Sequence, residues 1–85
     1  MYKLGLSNKV IKELEKLDDT LYLRISNKIH SLENNPRPNG SIKLSGIEGY
    51  RIRIGDYRIL YTINERTKEV VVYSFAHRKE VYKKH

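Results

Sequence analysis

The sequence predicts an α+β domain in which a two-helix hairpin packs on one face of a four-stranded, mostly antiparallel sheet, in the order β-α-α-β-β-β. Three observations predict it. Apolar residues recur at helical spacing over residues 10–32 and at every second position in the runs 50–54 and 57–63. Between the two regimes lies Asn34-Asn35-Pro36-Arg37-Pro38-Asn39-Gly40, a run that ends a helix and forms a loop. Past it come three strand-like runs separated by two polar turns.

The elements follow in order. Tyr2-Lys3-Leu4-Gly5-Leu6 alternates weakly and reads as a short first strand, whose place in the sheet its own pattern does not fix. Ser7 is placed to cap a helix carrying Val10, Ile11, Leu14 and Leu17 on one stripe. Asp18-Asp19-Thr20 offers capping oxygens to a second helix, where Leu21, Ile25, Ile29 and Leu32 step by four, four and three. Beyond the Pro-rich loop, Tyr50-Arg51-Ile52-Arg53-Ile54 alternates and Gly55-Asp56 supplies a tight turn. Tyr57 to Ile63 then forms the returning strand. Asn64 to Glu69 makes a polar turn, and Val70 to Ala76, apolar on both faces, belongs in the interior of the sheet.

Eighty-five residues make one domain, residues 1–85, with room for one core. That core is built from Ile, Leu, Val and seven tyrosines, since the chain has one Met and no Trp. The absence of cysteine excludes disulfides and cysteine-based zinc sites and favours a reducing compartment. No run has the length of a membrane span, and the N-terminal MYKLGLSNKV lacks the apolar stretch of a signal peptide. The expectation is therefore a cytoplasmic protein with no membrane partner, no metal and no cofactor. The net charge of +7 is concentrated in residues 41–85, where ten Lys and Arg oppose five Asp and Glu. In residues 1–40 the balance is seven to five. A basic half on so small a domain points to a polyanion or an acidic protein as partner.

The alternation also says where the cations go. Burying Tyr50, Ile52 and Ile54 against the helices forces Arg51 and Arg53 to the opposite face. In the returning strand Tyr57, Ile59, Tyr61 and Ile63 are the more apolar set, so Arg58 joins the other two arginines. A turn at Gly55-Asp56 sets Arg53 directly opposite Arg58, a like-charge pair that costs roughly 0.2–1 kcal/mol. Glu48 and Asp56 are the neighbouring acids, too few to neutralise three arginines. Directly after the last strand, His77-Arg78-Lys79-Glu80-Val81-Tyr82 brings an imidazole, a guanidinium and a phenol to the sheet. Together the two groups suggest an anion site with proton donors and acceptors.

In these residues the chain resembles the RelE/ParE superfamily of bacterial and archaeal toxins, and within it the RelE-type ribonucleases. The resemblance is carried by Leu32-Glu33-Asn34-Asn35-Pro36, Lys43-Leu44-Ser45-Gly46, Tyr50 to Ile54, Gly55 to Tyr61 and His77 to Tyr82, and covers roughly residues 2–82. It implies a toxin that enters the ribosomal A site and cuts mRNA by attack of the RNA's own 2′-OH. It also implies a RelB-like antitoxin that wraps the basic face. By position, Arg58 and Arg78 match arginines that stabilise the scissile phosphate, and Tyr82 matches a C-terminal tyrosine that orients substrate or assists proton transfer. Lys43, Arg51, Arg53 and Lys79 are the expected RNA-binding cations.

Arg51 and Arg53 depart from the pattern, because well-studied relatives carry lysines there, one of them proposed as general base. With a pKa above ~12, arginine does not accept the proton at neutral pH. His77 is the first alternative base, Tyr82 the second and Asp56 the third. Two other functions fit the same fold: a ParE-like toxin that poisons DNA gyrase by protein contact, and a catalytically weakened module that binds RNA or antitoxin.

Overall fold

Ser7 and Asp18 start the two helices in the computed structural model of the protein, which describes residues 1–77. The Ser7 hydroxyl accepts from the Val10 amide at 3.2 Å and opens α1 (Asn8–Glu15). The Asp18 carboxylate accepts from the Leu21 amide at 2.9 Å and opens α2 (Asp19–Ser31). Each bond satisfies a backbone donor that the first helical turn would leave unpaired. The apolar stripes lie inward: Val10 and Leu14 on α1 and Ile25, Ile29 and Leu32 on or after α2 are buried, while Ile11 is largely exposed.

The strands are β1 (Lys3–Leu6), β2 (Ile42–Lys43), β3 (Tyr50–Ile54), β4 (Tyr57–Asn64) and β5 (Glu69–His77), in spatial order β1-β5-β4-β3-β2. The sheet thus has five strands where the pattern predicts four. The added strand, β2, pairs only Ile42 with Arg51 and Lys43 with Tyr50, and two residues are too few to show alternation. The first strand finds its place beside β5, parallel to it, with Leu4 and Leu6 in register with Val70 and Val72. The other three pairings are antiparallel, so the sheet is mixed. β5 is flanked on both sides, as its two-sided apolar pattern predicts.

The core is a single cluster. Ile52, Ile54, Ile59, Tyr61, Val70, Val72 and Phe75 from the sheet meet Val10, Leu14, Ile25, Ile29 and Leu32 from the helix hairpin. Within it the Tyr61 hydroxyl donates to the Pro36 carbonyl at 2.7 Å, which satisfies a buried polar group and fixes the loop after α2. Burial pushes the Tyr61 phenol above its ordinary pKa. The same loop is tied from outside by Arg37. Its guanidinium pairs with Glu65 at 2.6 Å, donates to the Tyr50 hydroxyl at 3.1 Å and lies over the Tyr50 ring.

One irregularity governs the functional face. Leu60 pairs with Ser74 but Tyr61 pairs with Val72, so Tyr73 is an extra residue in β5, a β-bulge. Unbroken alternation from Val70 and Val72 would leave Phe75 on the open side of the sheet. The bulge resets the count, and Phe75 enters the core opposite Ile59.

Candidate functional site

The pleat places Arg51, Arg53 and Arg58 together on the face of the sheet turned away from the helices. Their strand neighbours Ile52, Ile54 and Ile59 are buried, whereas Arg53 is exposed and Arg51 and Arg58 are half-buried. Arg53 and Arg58 are direct cross-strand partners next to the Gly55 turn, as the alternation predicts. Gly55 has φ +58, which makes that turn easy for glycine and strained for residues with a side chain. On its other side Arg58 pairs with Ala76, a methyl group that leaves the guanidinium room. Arg51 lies between Ile42 and Leu60. By register, Leu60, Thr62, Val71, Ser74 and Ala76 complete a mostly neutral floor beside the arginines.

The ion pairs of the described residues are Lys16–Glu13, His30–Glu33, Arg37–Glu65 and Lys68–Glu65, and none involves Arg51, Arg53 or Arg58. Neither Glu48 nor Asp56 neutralises the cluster. Arg53 and Arg58 line a hollow of about 50 Å³ with Gly55, Asp56 and Tyr57. Guanidinium groups stay protonated at any physiological pH and offer five donors in a fixed fork, a match for phosphate oxygens. They bind and polarise an anion but do not take up a proton.

Two of the expected site residues lie off this face. His77 is the last residue of β5 and pairs with Tyr57, whereas Arg58 pairs with Ala76. Its ring meets Tyr57 edge-on at 5.0 Å, and Tyr57 in turn stacks on Phe75 at 5.0 Å. His77 therefore belongs to the helix side of the sheet, and the bulge at Tyr73 is the reason. Lys43 pairs with Tyr50, again on the helix side, and Ile42 takes the position beside Arg51. Arg78, Lys79 and Tyr82 lie outside the described residues.

Other groups near the face escape a reading by pattern. Tyr73 sits in the bulge and sends its hydroxyl across the sheet toward Gly49, where a Cβ would stand 3.2 Å from that oxygen and 3.1 Å from the Tyr61 carbonyl. Gly49 has φ +139, so both its backbone and its surroundings require glycine. Arg24 and Lys28 on α2 approach the same end of the sheet from the helix side. Their spacing of four was a signal in the sequence, but nothing local to α2 shows which strand they approach. Among the described residues no three His, Asp or Glu side chains converge to hold a metal ion.

Comparison with known proteins agrees with this architecture. The family model described as the ParE toxin of type II toxin-antitoxin systems matches residues 4–82. The chain is 27% identical to RelE in the archaeal RelE-RelB complex from Pyrococcus horikoshii OT3, with 91% of this chain and 94% of that one covered and a TM-score of 0.78. The isolated E. coli RelE toxin gives 28% identity, 98% and 93% coverage and a TM-score of 0.78. The intact E. coli RelBE toxin-antitoxin complex matches at 26% identity, 91% and 96% coverage and a TM-score of 0.78. A two-helix hairpin on a mixed five-stranded sheet, matched by the family model over nearly its whole length, places the chain in the ParE toxin family of the RelE/ParE superfamily, as the toxin of a type II toxin-antitoxin system.

Proposed function

We propose that this toxin is a ribosome-dependent endoribonuclease that cleaves mRNA in the A site, and that a RelB-like antitoxin silences it in the cytoplasm by covering the arginine face. The observation that carries the reading is the cluster of Arg51, Arg53 and Arg58, which share one open face without a carboxylate partner among the described residues. Three such cations repel one another, and a face of that kind is built for an anion that arrives from outside.

In the reaction the 2′-oxygen of one nucleotide attacks the adjacent phosphorus and the bond to the 5′-oxygen breaks. A cyclic phosphate and a free 5′-hydroxyl result. Arg58 and Arg53 hold the phosphate oxygens as negative charge builds on them. Arg51 contacts a neighbouring phosphate and sets the register of the strand. Positioning supplies much of the rate, because the nucleophile is already part of the substrate. The proton must leave the 2′-oxygen, and the ring of His77 lies against Tyr57 on the helix side of the sheet, away from Arg58. Asp56 shares the hollow with Arg53 and Arg58 and replaces His77 as the first acceptor to test, with Tyr82 second.

A second reading has its own support, since the matching family model is described for ParE toxins. A ParE-like gyrase poison needs no RNA chemistry. Induced expression followed by primer extension on abundant mRNAs separates the two. Codon-phased cuts that vanish when translation is blocked are expected; gyrase-linked DNA breaks with intact mRNA would replace the nuclease with the gyrase poison. Asp56→Asn should slow cutting at least about 100-fold if its carboxylate takes the proton. An unchanged rate would leave that role to Tyr82.

A further inference from the structure

Arg53 faces two hollows, not one. Besides the small hollow it shares with Arg58, it lines an open groove of about 520 Å³ together with Arg24, Asn27, Lys28, Ser31, Ile54 and Gly55. The groove exists because β2 covers so little of β3. Strand pairing on that side stops at Arg51, and among the described residues Ile52, Arg53 and Ile54 have no strand beyond them. Facing the gap is one side of α2, where Arg24, Asn27, Lys28 and Ser31 follow the i, i+3, i+4, i+7 spacing of a single helical face. Gly55 helps to shape it: the Arg24 guanidinium lies 3.4 Å from where a Cβ on Gly55 would stand.

Every charged residue that lines the groove is positive, and neither Arg24, Lys28 nor Arg53 enters an ion pair among the described residues. We infer that this groove is a second RNA-backbone site, continuous through Arg53 with the arginine face, so that the cationic surface turns the corner of the sheet at the Gly55 turn and runs onto α2. The occupant is a stretch of RNA phosphates separate from the one being cut. Two features favour RNA over an acidic peptide. The lining has one aliphatic residue, Ile54, and so lacks the apolar anchors on which peptide docking depends. The site also continues a surface already suited to phosphate, and two guanidiniums and an ammonium give it donors that phosphate oxygens accept. The inference rests on the RNA-directed reading of the arginine face.

The test is binding of a fluorescently labelled RNA hairpin to the full chain over a series of salt concentrations. The logarithm of the binding constant falls against log salt with a slope of about −0.7 to −0.9 per phosphate contact. Arg24→Gln with Lys28→Gln should therefore weaken binding and make the slope shallower by about 1.4–1.8. Ser31→Lys, which adds a cation to the same helical face, should steepen it by about 0.7–0.9 and decides the matter if the double variant does not fold. An unchanged slope in a folded double variant, or in Ser31→Lys, would overturn the groove. Arg51→Gln with Arg58→Gln serves as the comparison: if it loses affinity while the α2 variant does not, the groove fails alone. If neither variant changes binding, the RNA reading of the open face fails with it. Loss of affinity for a polyglutamate peptide without loss for RNA would reassign the groove to a protein partner and end the proposal.

Discussion

Arg58 stands between Arg53 on one neighbouring strand and Ala76 on the other, and this placement makes its substitution diagnostic. A like-charge pair across two strands is unfavourable, so Arg58→Ala should leave the domain at least as stable as before, with a gain of roughly 0.2–1 kcal/mol by urea unfolding. If the guanidinium holds the scissile phosphate, the same change should lower cleavage about 100-fold or more. Arg58→Lys keeps the charge but not the fork, so it should recover part of that loss. A fall in activity accompanied by a fall in stability would mean that Arg58 acts through the fold. Glu65 shows the opposite electrostatic situation. The Tyr2 hydroxyl, then Arg37 and Lys68, hold its carboxyl down to about 2 from an ordinary 4.5. A depressed carboxyl stabilises the fold fully above its unfolded value and loses that contribution as pH falls through its folded one. Unfolding midpoints should therefore drop between pH 4.5 and about 2, less steeply in Glu65→Gln. The pair is exposed, so added salt should blunt the effect.

At the scale of the element, the helices and the β3–β4 hairpin were legible because their signals are local. A capping oxygen, a 3.6-residue stripe and a glycine turn each act within a few residues of themselves. Ser7→Ala and Asp18→Ala should each cost about 0.5–2 kcal/mol, roughly additively, in denaturant unfolding. Costs near zero for both would show that tertiary packing alone holds the helix starts. The arginine face was legible for the same reason, since alternation in β3 and β4 is unbroken. Strand partners were not legible. β1 lies parallel to β5 because Leu4 and Leu6 fit beside Val70 and Val72, and nothing within residues 2–6 names that neighbour. The bulge at Tyr73 was hidden too, since Val70, Val71 and Val72 are apolar on both faces and Ser74 alone does not mark the slip. That one inserted residue moved His77 from the arginine face to the ring of Tyr57, and with it the first choice of base.

Across the whole molecule the formal net charge is +7, and four of the cations, Arg24, Lys28, Arg53 and Arg58, line the two hollows at one end of the sheet. The free toxin should gain thermal stability from moderate salt, which screens that repulsion. It should gain more from an acidic antitoxin, which binds the folded state alone and shifts the equilibrium by mass action. An unchanged melting temperature with saturating antitoxin would count against a partner lying over the arginines. Whether this surface cuts RNA is the decisive question. The most direct measurement maps the 5′ ends of a defined mRNA, held on purified ribosomes with an empty A site, after the purified protein is added. Cuts are expected within the A-site codon, absent without ribosomes and nearly absent with Arg58→Ala. Intact mRNA with the wild-type protein, or the same cuts with Arg58→Ala, would contradict the nuclease reading.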